Sequence, residues 1–360
     1  MRGSRLRPGG TRWVVWLIAV LVVSGCSPTR GIRATVEPSV EPSVASSVPP
    51  AAGSSMPSSS AIPSVEPPPA GVTETVVREL VDTAKAITAL PDPIRPDLRS
   101  AEKDSAGDLA GGQGCYPQDD QVELHAPCVF GDIGADHHIV LVGDSHAAMW
   151  LGAFDAMGRR SHWAVHLLSK VSCPPPALSF YNFSRGGPYP ECDQWHEYTL
   201  KRIREIKPDV VVLTGDTRFP KDADHNVISK EQWADGLTRT LDAIKDAGAV
   251  ATIVSDIPRI GRPPFDTAAP ECIAAHLDAI QECSSNAREV VATLYNDVEG
   301  SVAKASGARY IDVVPWFCTD VCTAVIGDMI VYRNASHITA TYGLHLSGVL
   351  EAAIAESMPR

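Results

Sequence analysis

Gly143-Asp144-Ser145-His146 follows directly on an apolar run at 138–142, and a helical stretch, Ala147-Ala148-Met149-Trp150-Leu151, follows in turn. A serine on a sharp strand-to-helix turn exposes its hydroxyl at the carboxyl edge of a sheet. The helix behind it offers unpaired N–H groups and a positive dipole end to a developing oxyanion. Acyl transfer requires both features. This turn is not the Gly-x-Ser-x-Gly elbow of α/β-hydrolases, because Ala147 stands two residues after the serine. A serine is a poor nucleophile without a positioned base. Near the C-terminus, Val331-Tyr332-Arg333-Asn334-Ala335-Ser336-His337-Ile338-Thr339 supplies His337 just before the last helical segment, about 340–356. Taken alone, Ser145 reads as a helix N-cap; the pairing with His337 makes it a candidate nucleophile.

The elements that must bring these residues together are visible as a regular alternation. Apolar runs at 138–142, 164–168, 210–213, 250–254 and 310–313 predict buried strands. Helices are expected near 147–159, 196–206 and 230–247 and across 271–306. Strands alternating with helices in this way imply an α/β fold, a parallel sheet covered on both faces. Ligand sites in such sheets lie at the carboxyl ends of the strands, which is where Ser145 falls. Upstream, apolar residues at helical spacing over 73–90 predict one more helix, and 91–136 reads as polar loop.

The first 25 residues read as an export signal, with Arg2, Arg5, Arg7 and Arg12 preceding an apolar stretch at 13–23 that is shorter than the ~20 residues a membrane span needs. Val23-Ser24-Gly25-Cys26 has the form of a lipobox, so Cys26 is the expected lipidation site. Residues 26–71, rich in Ser and Pro and repeating Val-Glu-Pro-Ser at 36 and 40, read as a disordered tether; 72–114 are the N-terminal helix and connector, and 115–360 the main domain. Setting Cys26 apart leaves Cys115, Cys128, Cys173, Cys192, Cys272, Cys283, Cys318 and Cys322, an even set suited to disulfides in an exported chain. Sequence leaves their connectivity open; pairing of neighbours is the simplest expectation. A net charge of −12 argues against nucleic acid as a partner.

Gly-Asp-Ser-His-Ala at 143–147, Ser172-Cys173-Pro174-Pro175, and the tail from Cys318 and Cys322 through Val331-Tyr332-Arg333 to His337-Ile338-Thr339 resemble the SGNH (GDSL-type) hydrolases. The likeness spans roughly 115–357 and is nearest to the extracytoplasmic SGNH domains fused to membrane O-acyltransferases. It implies a three-layer α/β/α, flavodoxin-like domain with disulfide-stapled loops. It implies Ser145 as nucleophile, His337 as general base, and the Ser145 amide as one oxyanion donor, joined by Gly215 or Thr217. It also implies an esterase or O-acyltransferase working on O-acyl, notably O-acetyl, groups of envelope carbohydrate or glycolipid. Such a protein would sit outside the cell membrane as a lipid-anchored lipoprotein, or be secreted, beside a membrane acyltransferase, and would need neither metal nor other cofactor.

Two departures stand out. No Gly-x-Asn-Asp block is present, and Asn334 stands where the family pattern has aspartate. An amide oxygen orients an imidazole but brings no negative charge; Asp328 or Asp312 are other sources of it. The alternative reading is therefore a catalytically weakened, glycan-binding or accessory lipoprotein. His146 reads as a structural hydrogen-bonder, Trp150, Trp163, Trp195 and Trp233 as core, and Trp316 as either core or a sugar platform.

Overall fold

The five apolar runs form the five parallel strands of one sheet. The computed structural model describes residues 72–357, so the signal segment, Cys26 and the Ser/Pro-rich stretch lie outside the described residues. The strands are β1 Val129–Gly131, β2 His137–Gly143, β3 Trp163–Ser169, β4 Val210–Thr214, β5 Val250–Val254 and β6 Arg309–Ile311. They lie in the order β1-β3-β2-β4-β5-β6. All pairs are parallel except β1 with β3. Without that short antiparallel edge, the order is the 2-1-3-4-5 of flavodoxin-like sheets, with a switch point between β2 and β4.

The main helices are α1 Glu74–Ala84, α2 Ser145–Ala148, α3 Leu151–Ser161, α4 Pro190–Ile206, α5 Lys230–Asp246, α6 Asn296–Ser306, α7 Ala340–His345 and α8 Ser347–Ala355. Alternate strand residues face opposite sides. Ile139, Leu141, Val210 and Val212 join one core with Leu151 and Phe154 of α3 and Leu350 and Ile354 of α8. Val140, Val142, Val211 and Leu213 join the other with Trp195 of α4 and Trp233, Leu237 and Leu241 of α5. Both strand faces are thus dry, which is why the runs are continuously apolar rather than alternating.

Three helical expectations need correction. The helix expected over 73–90 stops at Ala84, started by Thr73, whose hydroxyl accepts the Val76 N–H. The stretch 271–306 is broken into Ala269–Ala275, Ala287–Val291 and α6, because the Cys272–Cys283 bridge turns the chain back and Asn286 caps a fresh start by accepting the Glu289 N–H. The last helix divides at Leu346 into α7 and α8. The cysteines pair with their sequence neighbours: Cys115–Cys128, Cys173–Cys192, Cys272–Cys283 and Cys318–Cys322. Among the described residues no helix is long and apolar enough to cross a membrane.

Candidate active site

β2 delivers Ser145 to the switch point through a turn that only glycine permits. A Cβ on Gly143 would sit 1.8 Å from the Thr214 carbonyl oxygen, so a larger residue would force β2 and β4 apart. Asp144 then caps α2: one carboxylate oxygen accepts the His146 N–H at 2.8 Å, and the other accepts the Asp216 N–H at 2.9 Å. This ties the ends of β2 and β4 together. Burial lifts the Asp144 pKa to about 6. Ser145, partly exposed, opens onto a cleft of about 250 Å³ whose wall includes Ser172, Pro174 and Asp216. The Cys173–Cys192 bridge anchors that wall to α4. The opposite approach carries Tyr116, whose buried hydroxyl lies beside Ser145. Its loop is held by the buried Lys170, which donates to the carbonyls of Gln118, Asp119 and Gln121.

His337 enters from the C-terminal loop, closed by the Arg333 N–H donating to the His337 carbonyl and the Thr339 N–H to that of Val331. Asn334 Oδ1 accepts the N–H groups of Ser336 and His337, both at 2.9 Å, and lies 3.1 Å from His337 Nδ1. Ser336 Oγ is 3.0 Å from the same nitrogen. With Nδ1 carrying the proton toward Asn334, Nε2 presents a lone pair; it is buried and makes no hydrogen bond among the described residues. The His337 ring meets His146, the neighbour of Ser145, edge-on at 5.1 Å between centroids. His337 therefore packs on the residue next to Ser145, and no hydrogen bond joins the Ser145 hydroxyl to its imidazole. Such bonds are often long until substrate is in place.

The strongest charges here join His146, expected as a structural hydrogen-bonder, to carboxylates that the sequence did not reveal. His146 Nδ1 is 2.6 Å from Asp256 Oδ1, and its Nε2 is 3.9 Å from Asp216 Oδ2. Asp216 in turn takes a 2.6 Å hydrogen bond from the buried Arg259 guanidinium. Burial opposes charge on His146, but Asp256, Asp216 and Asp144 outweigh it and hold the imidazolium to about pH 9. Burial first, then the cations His146 and Arg333, drive the His337 pKa down to about 2. One ring is therefore a fixed cation at neutral pH, and the other a neutral base.

Several expectations are corrected. Thr217 is buried and its N–H donates to Asp256 Oδ2, so it is not free as an oxyanion donor. Gly215 is buried against Pro175, which a Cβ would meet at 2.8 Å. Asp328 pairs with Arg95 and Asp312 caps the Val314 N–H, so neither serves His337. Trp316 is buried edge-on against Trp150, as core. Asp256 follows β5 at its carboxyl end; that position, under the strand-end rule, was the one signal that marked it.

A family model described as "SGNH domain (fused to AT3 domains)" matches residues 114–352. The chain belongs to the SGNH domain family. It is thereby a domain of the esterase and acyltransferase type. Among solved structures, this SGNH domain resembles the lipopolysaccharide acetyltransferase periplasmic domain of Salmonella ser. Paratyphi A, at 17% identity and a TM-score of 0.54 over 72% of this chain and 98% of that one. An acetylxylan esterase from Geobacillus stearothermophilus matches at 12% identity and a TM-score of 0.38, over 62% and 96% of the two chains. A GDSL-like lipase from Bacteroides thetaiotaomicron matches at 12% and 0.35, over 61% and 89%. No curated protein matches the sequence. The first likeness shows the fold.

Proposed function

We propose that this SGNH domain removes or transfers O-acyl groups, chiefly O-acetyl, on cell-envelope glycans or glycolipids, with Ser145 as nucleophile and His337 as base. The observation that carries the reading is the buried His337 Nε2, without a hydrogen-bond partner among the described residues, its other nitrogen oriented by Asn334 and its ring packed on His146, the residue after the partly exposed Ser145. As Oγ attacks the acyl carbon, its proton passes to Nε2. The tetrahedral oxyanion meets the Ser145 N–H at the start of α2. Collapse breaks the bond to the sugar oxygen, which takes the proton back from Nε2 and leaves an acyl-serine. Water or a second sugar hydroxyl, deprotonated by the same nitrogen, then releases the acyl group. The buried His146 imidazolium favours the oxyanion and disfavours protonation of His337, a trade that Asn334, uncharged, does not offset.

Export and lipid attachment at Cys26 would hold the domain outside the membrane beside such glycans and beside a membrane acyltransferase. The family's fusion to acyltransferase domains and the periplasmic setting of the Salmonella domain support that placement. A second reading, a weakened site acting as an accessory lipoprotein to that enzyme, is favoured by the missing charge at position 334. Incubation with p-nitrophenyl acetate and with O-acetylated oligosaccharides, beside Ser145→Ala, separates the two. Acetate release or sugar acetylation that disappears in the variant supports catalysis; none in either protein leaves the accessory role.

A further inference from the structure

One wall of the Ser145 cleft is built from two loops zipped together. The Tyr181 N–H donates to the Lys221 carbonyl at 3.1 Å and the Ala223 N–H to that of Ser179 at 3.2 Å, around a bridge between Phe180 and Asp222. The two loops carry Phe183 and Phe219, which line the cleft and remain 64% and 49% exposed. Single exposed phenylalanines are common, but two on one small cleft are a patch that calls for a ligand. Phe219 holds a left-handed backbone, φ 52°, a conformation that disfavours side chains other than Asn, Asp and Gly. Phe183 is braced by Tyr181, at 5.3 Å between rings, and Tyr181 by His225 at 4.2 Å. The Phe183 ring is thus supported by neighbouring rings before any ligand arrives.

Polar groups interrupt this aromatic surface. Asp216 faces the cleft with its carboxylate kept ionised by the His146 imidazolium and by Arg259 behind it, and Lys221 also lines the cleft. A long acyl chain would need an unbroken apolar lining, which is absent. A pyranose ring presents one C–H face and a girdle of hydroxyls, which suits aromatic faces beside a charged acceptor. We propose that Phe183 and Phe219 stack on the sugar ring of the acylated substrate while Asp216 accepts its hydroxyls, so that these three residues form the glycan subsite that directs the acyl group to Ser145. This rests on the reading of Ser145 as the nucleophile.

The test uses Phe183→Ala together with Phe219→Gly; glycine suits the left-handed backbone, so loss of the ring does not add strain there. Against an O-acetylated methyl glucopyranoside, the double variant should lose about tenfold or more in kcat/KM, whereas p-nitrophenyl acetate turnover should stay within about twofold. Calorimetric binding of the same acetylated sugar to Ser145→Ala, with and without the two ring deletions, should weaken by a similar factor. Equal losses on both esters, unchanged sugar binding, or a greater loss on p-nitrophenyl octanoate than on the sugar would overturn the subsite. If the native protein turns over no ester, the Ser145 reading fails by itself and the binding arm alone decides the subsite.

Discussion

Replacing the His146–Asp256 pair by the neutral pair His146→Gln, Asp256→Asn should raise the pKa of His337. Two unit charges 5.1 Å apart, the separation of the two rings, interact by about 3 kcal/mol at an effective dielectric constant of about 20, roughly two pKa units. Asp256, whose negative charge partly offsets that of His146, is removed with its partner, so the expected rise is on the order of one unit. The double replacement is preferable to His146→Gln alone, which would strand the buried Asp256 carboxylate at about 3–5 kcal/mol of stability. NMR titration of the histidine ring protons reads the His337 pKa directly, and the acid limb of kcat/KM for p-nitrophenyl acetate reads it through the reaction. Because the base works neutral, a raised pKa moves that limb to higher pH. Asp144 loses the lowering effect of the His146 cation in the variant, so its own titration also moves upward, and the ring resonances of His337 keep the two groups apart. A His337 resonance titrating at the same or lower pH in the variant would refute the idea that His146 sets the strength of the base.

The same pair should shape stability. The folded pKa of His146, about 9, lies above the unfolded 6.5, so its stabilisation is complete below pH 6.5 and lost as pH rises through 9. Denaturant melts of native and doubly substituted protein should converge over that window, and a constant difference would contradict it. Asn334→Asp places a carboxylate 3.1 Å from His337 Nδ1 and should raise kcat by about tenfold or more; an unchanged or lower kcat would show that charge at this position is not what the site lacks. Gly143→Ala should destabilise the fold by at least about 1–3 kcal/mol and abolish turnover, since its methyl has no room beside Thr214; native-like melting would argue against the tight β2–β4 turn.

How far the sequence reached follows from which interactions are local. Strands buried on both faces write continuous apolar runs, so β2 to β6 were legible; β1 has three residues and pairs antiparallel at the edge, leaving no run to see. The breaks within 271–306 were hidden because caps and bridges, not a change of hydrophobic period, end those helices. Ser145 and His337 were legible because each lies in a distinctive block. Asp256 was not, because its partner His146 is 110 residues away and the two meet only through the order of strands in the sheet. The uncharged Asn334 beside His337 was visible; the cation that opposes protonation of His337 was visible as a histidine, but its charge comes from carboxylates on other loops.

The claim on which the account turns is that the hydroxyl at 145 is activated by the imidazole at 337. Intact-mass analysis and peptide mapping after exposure to a fluorophosphonate read it most directly. The account predicts one adduct, on Ser145, formed by the native protein, lost in Ser145→Ala and slowed strongly in His337→Ala. No adduct on the native chain, or the same rate of labelling without His337, would contradict it.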